Sequence, residues 1–398
     1  MPTGYAEEAV YPLLNRIDIP DLVQESDMLE IVEGVHQMST QKVRIGIVGC
    51  GGIANGKHMP SLIRLPEVEM VAFCDIIEER ATKAANQYGV DGALVFTDYR
   101  DLVALADLDI VHVLTPNHVH APISIAALKA GKHVMCEKPM ATSSREAQAM
   151  LDAARKSGKK LTIGYQGRQR AEAQYLKELC DADELGEVYF AKALALRRRG
   201  VPTWGVFLDK EKQGGGPLID IGTHSLDLTL WLMNNYDWDY VVGSTYNKIG
   251  KQKNVVNPWG TWKPEEYTVE DSAFAFIKFK NGATVILESS WALNIMPSDT
   301  PCVLCGTKAG ADFVDGLRIL GEKGSRLYTL RPEPKIRGVD PKGGETDERG
   351  YLEAKQWIES VINDTQPTVL PEQALVVTEI LEAIYDSAKS GKPIYNNR

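Results

Sequence analysis

The stretch VRIGIVGCGGIAN, residues 43–55, decides the reading of the fold. A short apolar strand runs into Gly49-Cys50-Gly51-Gly52-Ile53-Ala54, a GxGxxA pattern, and IANGKHMPSLIRL behind it reads as a helix. The next apolar strand, VEMVAFCD, ends in Asp75, 26 residues after Gly49. A glycine pattern alone says little. Between a strand and a helix, with an acid closing the following strand, it marks a dinucleotide site. Gly49 permits the tight turn, Gly51 lets the main chain approach a pyrophosphate, and Ala54 allows close helix–strand packing. The helix start, with Gly52 and Ile53, offers unpaired N–H groups and a partial positive charge to phosphates. Asp75 is placed to accept two hydrogen bonds from an adenosine ribose diol and to repel a 2′-phosphate. Ile76 and Ile77 follow it, and the first Arg is Arg80, so NAD is the expected cofactor and NADP the lesser alternative.

Working outward, VRIGIVG, VEMVAFCD, IVHVLTP, HVMCEKP and KLTIGYQ read as strands, with EERATKAANQYG, APISIAALKAG and SREAQAMLDAARKSG as helices between them. This alternation predicts an α/β fold, a parallel sheet covered on both faces, over residues 42–160. From 161 to 398 the strands lengthen (EVYFAKALALRRR, SAFAFIKF, ATVILESSWAL), and KNG before ATVILESS is a hairpin signal. This second, α+β domain is expected to hold a mostly antiparallel sheet with helices on one face, closed by the amphipathic helix EQALVVTEILEAIYDSAKSG. GLRIL and GSRLYTL read as strands, and PKIRGVDPKGGETDERG as an exposed loop. Residues 1–41 form an acidic extension in which LVQESDMLEIVEGVHQM has helical spacing; it reads equally as an arm packing on a neighbouring subunit and as a dispensable addition.

Charge and composition exclude several classes. Lys plus Arg number 44 against 54 Asp plus Glu, for a net charge of −10, and the only dense basic run is Arg197-Arg198-Arg199. No nucleic-acid footprint is expected from this. Apolar runs are strand-length, so no membrane span is expected. The start of the chain has neither a basic nor an apolar region of a secretory signal, and six scattered cysteines make no disulfide framework. The cytosol is the expected compartment. Cys302 and Cys305 form the one CxxC, read as a reduced buried strand, and no metal site is expected.

The chemistry concentrates at strand ends. Thr115-Pro116-Asn117, in TPNHVH, ends a Rossmann strand on the ligand side of the sheet. His118 and His120 form an HxH pair without a carboxylate cluster; His120 counts with the cofactor side rather than with a metal. HVMCEKPM places Glu137-Lys138-Pro139 at the next strand end. Further on, GGGPLIDIGTHSLDL places Asp220 and His224 four apart, on one face if the segment is helical, with Asp227 as a competing partner for His224. Oxidising a carbinol needs a base for the hydroxyl proton and a positive charge beside the developing alkoxide. His224 suits the first role, Asp220 is placed to orient it, and Lys138 suits the second.

At these residues the sequence resembles the glucose–fructose oxidoreductase / inositol dehydrogenase (Gfo/Idh/MocA) family: GCGGIA, TPNHVH, CEKP and GGGPLIDIGTHSLDL match in order, over roughly residues 42–395. The resemblance implies a Rossmann domain followed by a domain with a large open sheet, NAD(P) between them, and homodimers or homotetramers formed through that sheet. It implies that Lys138, Asp220 and His224 match the catalytic lysine, aspartate and histidine, and that Pro116, Asn117 and Glu137 lie along the nicotinamide half of the cofactor.

Sugars are held by hydrogen-bonding side chains and aromatic faces. Tyr165, Gln166 and Arg168 in GYQGRQR, and Arg197, Arg199 and Trp204 in RRRGVPTWG, are the candidates beside Asp220 and His224. The expected function is NAD-dependent oxidation of a hydroxyl on a sugar, an inositol-like polyol or a glycoside, at the 3-hydroxyl in the glycoside case. The alternatives are a glycosidase that retains NAD and oxidises its sugar transiently, and an inactive sugar-sensing regulator on the same scaffold.

Overall fold

Six parallel strands build the first sheet of the computed structural model, which describes residues 42–297, 299–333 and 348–396. They are β1 (Val43–Val48), β2 (Val68–Cys74), β3 (Leu94–Phe96), β4 (Ile110–Val113), β5 (His133–Cys136) and β6 (Leu161–Ile163), in the order β3-β2-β1-β4-β5-β6. Strand order reverses between β1 and β4, which opens a crevice at their carboxyl ends. β1 and β4 are buried nearly throughout because helices cover both faces. The helix Ser144–Ser157 shows how the sequence sets an element. Ser143 caps it by accepting from the Glu146 N–H, and Gly158 stops it at φ +67°. β3, Leu94-Val95-Phe96, is apolar but only three residues long, an edge strand too short to show a repeating pattern. The helix expected within residues 1–41, and the arm or extension role given to that segment, lie outside the described residues, as does most of the charged loop from 334.

The second sheet has nine strands: β7 (Val188–Leu196), β8 (Trp238–Tyr246), β9 (Ser272–Phe279), β10 (Thr284–Ser290), β11 (Cys302–Gly306), β12 (Ala309–Asp312), β13 (Arg318–Lys323), β14 (Arg326–Leu330) and β15 (Ile394–Tyr395). Their order is β14-β13-β12-β11-β7-β10-β9-β8-β15. All pairs are antiparallel except β7 with β10. The turn between β9 and β10 closes with Gly282 at φ +91°. β11 holds Cys302, buried, and Cys305, half-buried, both free thiols. The helices Thr223–Met233 and Pro371–Ser390 pack on the same sheet, the first against β7 and β11 and the second against β8 and β15.

The helix Glu348–Ile362 does not stay with the second sheet, where a boundary at residue 160 would place it. Its Ala354, Trp357 and Ile358 share a core with Val43, Ile45 and Met59 of the first domain. The chain returns to cover the Rossmann layer.

Arg168, read from the sequence as a sugar-binding residue, is a structural pin. It is wholly buried, and its guanidinium grips Asp227 of the helix Thr223–Met233 through Nε (3.0 Å) and Nη2 (2.6 Å). Its Nη1 donates to Thr368 O (2.9 Å) and Gln373 Oε1 (2.6 Å). No donor faces a ligand, and Asp227 is removed as a partner for His224. Breaking a buried pair leaves an uncompensated charge, which costs about 3–5 kcal/mol. Arg168→Met is therefore expected to lower the urea unfolding free energy by about that amount, and Arg168→Met with Asp227→Leu to recover most of it. A single variant as stable as the parent would refute the pin.

Candidate active site

The glycine turn follows β1. Gly49 has φ +94°, and a Cβ there would lie 2.5 Å from Leu114 O at the end of β4, so no other residue fits. Above Gly51 and Gly52 an added Cβ would meet nothing within 4 Å, which leaves the main chain open to an approaching pyrophosphate. Ile53 is exposed at this turn and Ala54 is buried beneath it. Asp75, almost buried, accepts from the Cys50 N–H through Oδ2 and from the Ile77 N–H through Oδ1, both at 2.9 Å. It thus fixes the glycine turn while each oxygen keeps a further lone pair.

The loop after β4 is tied on both sides. Asn117 Nδ2 donates to Gln213 O at 2.8 Å, Pro116 is exposed, and the buried Thr115 Oγ1 has no partner among the described residues. His120 is fully buried, and its two ring nitrogens lie 2.8 Å from Pro139 O and from Thr115 O. It does not line the cofactor cleft, as the sequence reading had it. It clamps the TPN loop to the EKP loop. His118 sits 3.2 Å from Lys212 O, so both members of the HxH pair are engaged by carbonyls.

Glu137 sits in a buried charge network. Its Oε1 accepts from Lys57 Nζ (2.6 Å) and His58 Nε2 (2.8 Å), and its Oε2 accepts from the Lys138 N–H (3.0 Å). Lys57 bonds in turn to Glu353 Oε2 at 2.9 Å. Burial pushes the Glu137 carboxyl up, but the Lys57 charge, the His58 hydrogen bond and Lys138 outweigh it and hold it well below the usual carboxylate range. The carboxylate points into this network and sets the main chain from which Lys138 extends.

Lys138 reaches across to the second domain. Its Nζ donates to Asp220 Oδ1 (2.8 Å) and to Asp220 O (2.9 Å). Asp220 Oδ2 accepts from Trp291 Nε1 at 3.0 Å. Asp220 therefore orients Lys138, and among the described residues it makes no hydrogen bond to His224, contrary to the sequence reading. The reason is local. Residues Leu218–Gly222 form a π-turn before the α-helix Thr223–Met233, and that turn aims the two Asp220 oxygens at Lys138 and Trp291. Burial opposes the ionisation of Asp220, and the Lys138 charge and hydrogen bond override it, so the carboxyl stays below its ordinary value. His224 is half-buried, with the Tyr165 ring edge-on at 6.2 Å. Burial first, and the Lys138 charge second, push its pKa down to about 3. Tyr165 is buried and its hydroxyl shares a hydrogen bond with Thr223 Oγ1 at 2.8 Å, so it supports His224 rather than presenting a hydroxyl to a sugar.

The turn before Asp220 explains its three glycines. Glu270 accepts from the Gly216 N–H (2.9 Å), the Leu218 N–H (3.2 Å) and the Tyr385 hydroxyl (2.8 Å), and a Cβ on Gly216 would lie 2.2 Å from Glu270 O. On the outer side, Gln166 Oε1 is buried with no partner among the described residues. Arg197 is half-buried, with its guanidinium 4.9 Å over Trp259, and Trp204 is 54% exposed. Arg199 donates to Arg198 O, Leu293 O and Asn294 Oδ1, so it ties two segments together. Sequence reasoning missed Lys57, His58, Glu270, Trp259 and Trp291. One signal was present: Glu270-Asp271 directly precedes the apolar run of β9.

Comparison with known proteins decides the family. The description "Oxidoreductase family, NAD-binding Rossmann fold" matches residues 43–165, and "GFO/IDH/MocA C-terminal domain" matches 173–325. The chain belongs to the GFO/IDH/MocA oxidoreductases. It is 37% identical over 359 residues to a D-glucoside 3-dehydrogenase of Escherichia coli K12, spanning 89% of this chain and 97% of that one. It is 29% identical over 248 residues to an inositol 2-dehydrogenase of Salmonella typhimurium LT2, spanning 62% and 66% of the two chains. Among solved structures it is similar to an aldose-aldose oxidoreductase from Caulobacter crescentus (TM-score 0.73, 25% identity, 89% of this chain and 100% of that one). An oxidoreductase domain protein from Kribbella flavida gives a TM-score of 0.78 at 26% identity, over 90% and 100%.

As a GFO/IDH/MocA protein the chain carries an NAD-binding domain, and the residues present fit that cofactor: open space over Gly51 and Gly52, an acid closing β2, and a buried unpartnered Thr115 Oγ1 at the end of β4. A negative charge at Asp75 repels a 2′-phosphate by a few kcal/mol near a protein surface. KM for NAD(H) is therefore expected below that for NADP(H), and Asp75→Asn to narrow the ratio by about tenfold or more. Steady-state kinetics with both cofactors check this; a lower KM for NADPH than for NADH contradicts it.

Proposed function

We propose that this protein is an NAD-dependent dehydrogenase moving hydride between nicotinamide and a hydroxyl of a glycoside, the 3-hydroxyl of a glucoside being the position assigned. The observation that carries the reading is the Lys138–Asp220 pair beside His224, where the carboxyl end of the first sheet meets the second domain. The likeness to the E. coli D-glucoside 3-dehydrogenase, over nearly all of that chain, supports the substrate class.

Bound NAD supplies the hydride acceptor. The ammonium of Lys138 has three donors, two of them engaged by Asp220, and the third is left for the substrate hydroxyl. Its charge stabilises the oxygen as the hydroxyl proton leaves. His224, unprotonated at neutral pH because burial and Lys138 disfavour its cation, takes that proton at a free ring nitrogen. The Asp220 charge then favours the imidazolium and keeps Lys138 aimed. Asn117 and His120 hold the loop after β4, which would line the cofactor, and Gln166 has a buried carbonyl oxygen with no partner among the described residues.

Lys138→Met and His224→Asn are each expected to lower kcat on a glucoside by about 10²–10⁴-fold, read from absorbance of reduced nicotinamide, with NAD affinity near that of the parent. Because free His224 is a base down to about pH 3, the acid limb of kcat/KM should lie well below 6.5. Undiminished turnover in both variants would discard the mechanism.

The same reading assigns a second copy of the chain to the open face of the second sheet, as a homodimer or homotetramer in the cytosol. Val242, Phe276 and Ile286 lie side by side in register there, and Val242 and Phe276 are exposed. Sedimentation at a monomer's mass would overturn this assembly.

A further inference from the structure

Two tryptophans stand uncovered next to the site. Trp204 and Trp259 are 54% and 41% exposed, with ring centroids 5.6 Å apart and planes at 61°. Soluble proteins rarely leave such large apolar faces grouped at the surface without a use. The two come from loops far apart in the chain, and both loops are fixed. Asn257 closes on Val201 through N–H and C=O bonds of 3.0 Å each, and the Thr203 hydroxyl donates to Trp259 O. The rings are therefore preorganised, and little ordering cost falls on whatever they bind.

They are also continuous with the chemistry. Trp291, whose Nε1 holds Asp220, meets Phe207 at 6.2 Å, and Phe207 meets Trp204 at 5.9 Å. Trp291 is wholly buried and Phe207 half-buried, so this aromatic wall comes to the surface at Trp204, two ring-to-ring steps from the residue that holds Asp220. On the other side Arg197 bridges the same gap, since its guanidinium lies 4.9 Å over Trp259 and its charge acts on Asp220. A free monosaccharide held at Lys138 would leave this wall empty.

We infer that Trp204 and Trp259 form a stacking subsite for the ring carried on the anomeric oxygen of the glycoside, outside the sugar that is oxidised. The inference rests on the dehydrogenase reading above. The ring's chemistry is a flat apolar face, supplied either by an aryl group or by the C–H face of a second pyranose.

The test uses the full chain with saturating NAD and compares kcat/KM for methyl, phenyl and glucosyl glucosides. Trp204→Ala and Trp259→Ala are expected to lower kcat/KM for the phenyl or the glucosyl substrate about tenfold more than for the methyl one, with Trp204→Phe recovering most of the loss. An equal fall on all three substrates, or no fall, overturns the subsite. So does an unmoved ratio with a reduced oligomer mass, which would mark the rings as an interface between copies. If the parent oxidises no glucoside, the dehydrogenase reading fails on its own, and tryptophan fluorescence still decides the subsite. Quenching by phenyl or glucosyl but not methyl glucoside, lost in Trp204→Ala, supports it; equal quenching by all three overturns it.

Discussion

One ion pair joins the two halves of the site. The Lys138 ammonium leaves the end of β5, and the Asp220 carboxylate leaves the π-turn ahead of the helix Thr223–Met233, and they meet at 2.8 Å. Both groups are largely withdrawn from water, so neither is stable there without the other. The contact therefore does two jobs. It fixes the distance between the nucleotide layer and the substrate layer, and it keeps a positive charge where an alkoxide would form. The remaining polar groups serve this contact. Glu137 sets the lysine's main chain, Trp291 takes the second carboxylate oxygen, and Glu270 holds the turn that delivers Asp220.

Behind the pair lies a second charged layer. Lys57, His58, Glu137 and Glu353 are all nearly buried, and they link the helix after the glycine turn to the helix Glu348–Ile362. A buried cation between two carboxylates is tolerated only when every partner is present. This explains why the late helix belongs to the first domain despite its place in the chain. Its Glu353 gives Lys57 a second carboxylate partner, opposite Glu137.

The fold was legible where periodicity was strong. The GxGxxA turn between β1 and its helix, the acid at the end of β2, and the hairpin of β9 and β10 each carry a local pattern that tertiary packing leaves intact. β3 and the helix Tyr99–Val103 were not legible, since short half-exposed elements leave too few apolar positions to repeat. In the site, Lys138, Asp220 and His224 could be named from their motifs, but not their pairing. Spacing along a helix cannot show that a carboxylate is taken first by a lysine 82 residues away. Arg168 and Tyr165 misled for a related reason. A polar side chain in a promising loop looks alike in sequence whether it faces solvent or a buried partner such as Asp227 or Thr223.

The lone parallel pairing in the second sheet, β7 with β10, has a topological consequence. Parallel neighbours cannot be joined by a tight hairpin, so the polypeptide must leave the sheet, travel over its surface and come back at the opposite end. That detour, residues 197–237 between β7 and β8, is where Trp204, the glycine-rich turn, Asp220 and His224 reside, and Trp259 lies on the later connection from β8 to β9. The sheet thus works as a loom on which one long crossover is stretched. Variation in that crossover can change what is gripped while the strands beneath keep their register.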